Sequence, residues 1–202
     1  MATTLIFAEL LITGIQVSIW IFILVVNVFG TEWMATLDAS KIKDWQTLLA
    51  IIGLSIVYVL GIVFDRLADS LFLIWDRRIA KNKYPDIESF SILRFEVGKD
   101  NPDLSAQFEY TRSRLRLSRS TALNFAIITV LLIIFGIIRL PDNSSINRVT
   151  FITFVGITGS LLTLFSVYAW HRLMTQHFNF LQKYSSHSKS STTSKKTVKA
   201  IK

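Results

Sequence analysis

The stretch TALNFAIITVLLIIFGII, residues 121–138, contains no Asp, Glu, Lys or Arg. Three further stretches share this property, at residues 10–31, 45–64 and 149–170. Each holds between 18 and 22 residues, and a helix needs about 20 mostly apolar residues to cross a hydrocarbon core roughly 30 Å thick. A soluble core cannot account for four such helices, because a chain of 202 residues has too few amphipathic segments left to cover them. The sequence therefore predicts an all-α, polytopic membrane protein with four transmembrane helices.

The polar parts of the chain lie mainly between the second and third hydrophobic stretches and at the C-terminus. Apolar residues at helical spacing continue past Phe64 towards Pro85, and residues 104–120 are predicted to form a helix that leads directly into the third stretch. Turn residues are concentrated at 97–102 and 141–145. Residues 89–97 fit either a strand or a short helix.

The C-terminal residues are rich in Ser, Thr and Lys and contain almost no large apolar side chains. Such a composition cannot form a core, so we predict disorder after a fourth helix that ends near Tyr184. The chain then divides into four parts: transmembrane helices 1 and 2 (1–75), a small cytoplasmic basic module (76–120), transmembrane helices 3 and 4 with a cytoplasmic extension (121–184) and a disordered basic tail (185–202).

Basic residues are distributed unequally between the two sides that the helices define. Of 22 Lys and Arg residues, seventeen lie in residues 76–120 or after the fourth stretch, and four lie on the opposite side. Because Lys and Arg accumulate in cytoplasmic loops, both termini and the basic module are predicted to be cytoplasmic. We expect a multi-pass protein of the plasma membrane, or of the inner membrane if the source is bacterial. The first helix is predicted to be a retained anchor, since no Lys or Arg precedes it as in a signal peptide.

A polar stripe follows one face of the first helix. At 100° per residue its members fall within about 60° of one another: Glu9, Thr13, Gln16, Trp20, Asn27 and Thr31. Polar side chains are costly in lipid, so the stripe should face protein or water. Hydrogen bonding between helices is the interpretation we favour, because most intramembrane Asn and Gln residues act in packing. A hydrated path is the alternative.

The second helix carries polar residues on one face over its whole length: Thr47, Ser55, Tyr58, Asp65, Asp69 and Asp76. Arg66 is three positions from Asp69, a spacing that permits an ion pair. We favour a charge collar where the helix leaves the bilayer, because charged residues are ordinary at that depth. An ion or proton site, or a metal site formed by the paired carboxylates, remains open.

An arginine stripe precedes the third helix. Arg112, Arg116 and Arg119 share one face, with Glu109 one turn before Arg112. Such a stripe is suited to anionic lipid head groups, where each cation contributes about 1 kcal/mol. It is also suited to pairing with the acidic residues of the second helix. A phosphate ligand is a weaker possibility, because no Gly-rich loop is present to bind it.

The fourth helix has a face of small residues, of the kind that lets membrane helices pack closely: Gly156, Gly159, Ser160, Thr163 and Ser166. We expect this face to make helix–helix contacts, within the bundle or between copies of the chain.

The sequence contains no G-x-S-x-G, H-E-x-x-H, P-loop or G-x-G-x-x-G motif, and no cysteine. We therefore expect no enzyme activity, no cofactor and no metal. The leading hypothesis is a self-associating membrane protein whose cytoplasmic charged surface meets lipid or a partner protein. A channel, pore-forming or transport component using the two polar faces is the alternative, and a lipid-modifying enzyme using Asp65 and Asp69 ranks last. Nucleic-acid binding is not expected, because the net charge of +8 follows from the cytoplasmic bias.

Reporter fusions test the predicted orientation. Fusions at Lys99 and Lys202 are expected to report the cytoplasm, and a fusion at Asn143 the opposite side, because the basic residues favour that arrangement. The measurement is the activity of a reporter pair that functions on opposite sides of the membrane. A non-cytoplasmic signal from the Lys99 fusion would overturn the orientation.

Overall fold

The computed structural model describes the backbone of residues 2–35, 43–83, 102–140 and 147–200. Within these ranges every regular element is helical. The four long helices are α1 (Ala2–Phe29), α2 (Gln46–Lys83), α3 (Pro102–Ile138) and α4 (Arg148–Ala200), and a single helical turn, Glu32–Ala35, follows α1. The predictions for residues 89–97, and nearly all of those for the turns at 97–102 and 141–145, fall outside the described residues.

Each long helix contains a segment that is long and apolar enough to cross a membrane. The prediction of an all-helical chain with four such segments is thereby confirmed. Two helices extend well beyond their hydrophobic stretches: α2 runs past Phe64 to Lys83, and α3 begins at Pro102, as the apolar spacing predicted. The existence of a separate cytoplasmic module stays a prediction.

The C-terminal part of α4 differs from the sequence prediction. We expected a helix end near Tyr184 and a disordered tail, whereas the helix continues to Ala200. No Gly or Pro follows Gly159, so the sequence contains no strong stop signal that would end the helix. Ser, Thr and Lys are tolerated in helices, and the division of residues 185–202 into a separate part of the chain stays a prediction.

The four helices form an asymmetric bundle. α1 packs on both α2 and α3, whereas α4 packs mainly along α3 and meets α2 much less extensively. The meeting point is a small core of Phe72, Leu115, Ala122 and Trp170, in which the rings of Phe72 and Trp170 lie edge to face at 5.0 Å. The end of the bundle where α2 ends and α3 begins is called the charged end below.

α1 and α2 are in backbone contact through two glycines. A Cβ atom on Gly14 would overlap the carbonyl oxygen of Val57, and one on Gly61 would overlap the carbonyl oxygen of Leu10. On α4, Gly159 lies against Thr129 of α3 in the same way, whereas Gly156 has no neighbour within 4 Å. The small-residue face of α4 is therefore only partly used inside the bundle.

The far end of α1 is capped by Arg139, the residue that follows α3. Gly30 adopts a left-handed conformation with φ of 78°, which ends the helix. The guanidinium of Arg139 donates hydrogen bonds to the carbonyl oxygens of Asn27 and Val28 at 2.8 to 3.0 Å. Arg139 thus satisfies carbonyl groups that a helix end leaves without partners.

Replacing Gly14 by Ala is expected to destabilise the protein by about 1–3 kcal/mol, the usual cost of overpacking a close contact. Gly61→Ala should behave in the same way. Gly53→Ala is the matched control on α2, because nothing lies within 4 Å of that position. Thermal unfolding in detergent micelles measures the difference, and equal melting temperatures for the Gly14 and Gly53 variants would contradict the packing described here.

Candidate functional site: a polar interface and a charge cluster

The polar stripe of α1 faces α3, and the two helices are joined by side-chain hydrogen bonds. Asn124 donates to the Oε1 atom of Gln16 at 3.0 Å and accepts a hydrogen bond from the indole N–H of Trp20 at 3.1 Å. Gln16 also donates to the hydroxyl of Thr121 at 3.4 Å. Asn124 is completely buried. These four residues form what we call the polar interface.

The same stripe continues in both directions along α1. Towards the far end, Asn27 donates to the carbonyl oxygen of Leu131 at 3.1 Å, although its own Oδ1 has no partner within the described part of the chain. Towards the charged end, Thr13 and Glu9 are buried. Thr31 is exposed beyond the helix end. The structure therefore pairs the central members of the stripe with α3, as interhelical hydrogen bonding requires.

The polar residues predicted on α2, in the half away from the charged end, do not contact the polar stripe of α1. Thr47 and Ser55 are exposed, and the Ser55 hydroxyl donates to the Ile51 carbonyl of its own helix. Tyr58 is half-buried, with its ring 5.3 Å from that of Phe7. Ser55 and Tyr58 therefore do not lie on one surface with Gln16 and Asn27 within a protomer, because α1 turns its glycine side to α2.

A charge cluster occupies the charged end. Its centre is Arg119 of α3, whose guanidinium lies 2.7 Å from Asp69 and 2.7 Å from Asp76 of α2. The two aspartates are seven residues apart, so they stand on one face of α2, two turns from each other. One arginine side chain, with 13% of its surface exposed, therefore bridges two turns of the neighbouring helix.

Two further carboxylates extend the charge cluster towards the middle of the bundle. Glu9 of α1 lies 3.8 Å from the guanidinium of Arg116, and the Asp65 carboxylate accepts a hydrogen bond of 3.4 Å from Ser120. Both residues are buried. We define the charge cluster by six residues drawn from three helices: Glu9, Asp65, Asp69, Asp76, Arg116 and Arg119.

The three residues of the arginine stripe lie in two different environments. Arg116 and Arg119 point to carboxylates of α1 and α2, so the alternative of pairing across the bundle describes them better than lipid contact. Arg112 is exposed, as lipid contact would require. Arg66 is exposed as well, and Asp69 pairs with Arg119 rather than with Arg66.

Three small polar residues of α3 were not identified as site residues from the sequence. Ser120 contacts Asp65, Thr121 contacts Gln16, and Ser113 is buried with no hydrogen-bond partner in the described part of the chain. Ser113, Ser120 and Asn124 are spaced by seven and four residues, which places them on one helical face. The sequence contains this spacing, but only the arginine residues of the same segment were predicted to form a site.

The charge cluster is chemically a set of carboxylates with too few cations. Four carboxylates face two guanidinium groups, which gives a formal charge of −2 when all are ionised. Among the described side chains, no group of three or more His, Cys, Asp or Glu residues is arranged to hold a metal ion. The arrangement is suited to fixing three helices together and to exchanging protons.

Arg119→Gln is expected to destabilise the protein by about 2–3 kcal/mol, because two carboxylates would lose their cation. This is below the roughly 3–5 kcal/mol typical of fully buried pairs, since Asp69 is 34% exposed. Arg112→Gln, at an exposed position two turns earlier, should change the stability by less than about 0.5 kcal/mol.

A further variant separates charge from packing. Combining Arg119→Gln with Asp69→Asn and Asp76→Asn should recover part of the lost stability, because no unpaired carboxylate then remains. The melting temperatures of the wild type, Arg119→Gln, Arg112→Gln and the triple variant are measured in the same detergent. No recovery in the triple variant would show that Arg119 acts by packing rather than by charge.

The chemistry of the polar interface and the charge cluster has to be inferred from their own residues. No protein-family model, curated protein or solved structure matches this chain.

Proposed function

We propose that this chain is a non-enzymatic integral membrane protein that acts through its surfaces. It associates with copies of itself, and its charged end contacts anionic lipid head groups or a partner protein. The observation that carries this proposal is the polar interface, in which the intramembrane polar residues of α1 are paired with α3 inside the bundle. Polar groups paired in this way are not available to water or to a passing solute.

The placement of the remaining polar residues also supports a closed protomer. A conduit between α1 and α2 would need polar side chains on both sides, but the two backbones touch through Gly14 and Gly61. Ser55 lies on the outside of the bundle. A path through one protomer would therefore lack polar side chains of α2 along the half of that helix that lies away from the charged end.

Self-association is supported by the outer side of α4. Gly156 has no neighbour within 4 Å, and Ser160 one turn later is exposed. Small residues at this spacing let two membrane helices approach closely. A second copy of α4 is the partner that this surface fits, because it offers the same small residues.

The charged end is proposed to be cytoplasmic, together with both termini. The support is the distribution of Lys and Arg residues, seventeen of which belong to this side. Arg112 and Arg172 are exposed at this end. They are suited to anionic lipid head groups of the inner leaflet or to an acidic partner surface.

Single cysteines test this proposal directly, because the chain has none of its own. In Thr13→Cys and Gln16→Cys, a membrane-impermeant thiol reagent should fail to react, whereas Asn147→Cys, exposed outside α4, should react readily. Oxidation of Ser160→Cys should yield a cross-linked dimer. Thr158→Cys, exposed on the opposite face of α4, should not. Equal cross-linking at 158 and 160 would refute association through this face.

A channel or transport component is the second candidate, favoured by the carboxylate excess of the charge cluster. Glu9 and Asp65 are buried, and Arg116 is the nearest cation to Glu9. Carboxylates that outnumber their cations in a partly buried site attract protons or cations. Ready labelling of Thr13→Cys and Gln16→Cys from the aqueous phase would favour this function and overturn the closed bundle.

A further inference from the structure

A groove opens between α2, α3 and α4 beside the charged end. It has a volume of about 710 Å³, within the range of roughly 300–1,000 Å³ that is usual for ligand sites. Its wall is almost entirely apolar and includes Leu71, Ala126 and Val167. Two cationic or protonatable side chains, Arg78 and His171, also line it. The groove exists because α4 packs along α3 and meets α2 much less extensively.

The depth of the groove follows from the charge-free stretches. The stretch on α3 begins at residue 121 and the stretch on α4 ends at residue 170, so Ala126 and Val167 lie on the hydrocarbon side of the boundary. Arg78 and His171 lie on its polar side. Trp75 and Trp170 also line the groove, and tryptophan is enriched at the level of lipid head groups. The α3 and α4 sides of the apolar wall thus adjoin lipid tails. The cationic rim and the α2 side of the wall, which begins at Leu71 beyond the stretch that ends at residue 64, lie at the level of the head groups.

Arg78 is available at this rim. Its side chain is exposed, and no ion pair within the described part of the chain involves it. The nearby acidic residues Asp69 and Asp76 are already bound to Arg119. A cation that lies above an apolar groove and pairs with neither of these carboxylates is complementary to an anionic group that carries a long apolar chain.

We propose that this groove binds one anionic phospholipid, with an acyl chain along the apolar wall and the phosphate at Arg78. The proposal rests on the membrane location of the bundle but not on self-association through α4. A transmembrane helix of a second copy fits less well, because Leu71 and Ile79 are only about 12 Å apart along α2. Such a helix would span roughly 30 Å.

Native mass spectrometry of the full-length protein in detergent tests the proposal. The probe is an equimolar mixture of phosphatidylglycerol and phosphatidylcholine with identical acyl chains. The wild type should retain one phospholipid, with phosphatidylglycerol preferred. Arg78→Gln should lower this preference about fivefold, since one cation near the membrane surface is worth about 1 kcal/mol. Arg77→Gln, an exposed neighbour that does not line the groove, is the matched control and should leave the preference unchanged.

A filled groove provides the second variant. Ala126→Phe should abolish retention of both lipids, while a melting temperature close to that of the wild type shows that the bundle is intact. Inorganic phosphate alone should not compete, since the acyl chain supplies most of the contact. The proposal is overturned if the wild type retains no lipid, if Arg77→Gln and Arg78→Gln behave alike, or if Ala126→Phe removes a dimer instead of a lipid.

Discussion

Hydrocarbon offers no hydrogen bonds, so a polar side chain within it has to find its partner in the protein. The arrangement of α1 and α3 follows from this constraint. Gln16, Trp20 and Asn27 each direct a donor to α3, and Asn124 provides both a donor and an acceptor at the centre. These pairs fix the rotation of α1 about its own axis, because any other rotation would break the hydrogen bonds to α3.

The packing of the other helices follows from this rotation of α1. Gly14 is two residues from Gln16, which places it about 200° away on the helix. With Gln16 on α3, Gly14 faces α2, and the backbones of α1 and α2 meet there without intervening side chains. Arg116 and Arg119 continue the α3 side of the contact into the charged end, where they bind carboxylates of α1 and α2. α4 packs on the outside of α3.

The number, position and approximate ends of the membrane helices were predictable, because charge-free apolar stretches of about 20 residues are typical of helices that cross a bilayer. The contents of the α1 stripe were predictable as well, since one helix determines them by periodicity alone. The residues of α3 that pair with this stripe were not predictable. Asn124 and Thr121 are isolated polar residues in an apolar stretch, and only the packing of two helices shows that they face Gln16.

Two features of α2 and α3 could not be settled from one helix at a time, because each concerns a contact between helices. Ser55 and Asp65 share a face in projection, but the charged end and the opposite half of α2 have different neighbours. For the arginines, the sequence left both lipid contact and pairing with the carboxylates of α2 open. The pairing of Arg119 with both Asp69 and Asp76 depends on the distance between α2 and α3, which neither sequence segment determines alone.

The two halves of the polar interface lie far apart in the sequence. The interface can therefore form only late in the synthesis of the chain. Gln16 and Asn124 are 108 residues apart, and Trp20 and Asn124 are 104 apart. At about 5–20 residues per second, α3 leaves the ribosome roughly 5 to 20 s after α1. During that interval the glycine side of α1 can already pair with α2, which comes next in the chain. Its polar side has no partner of its own and has to be sheltered by the insertion machinery or by water at the membrane surface until the third helix arrives.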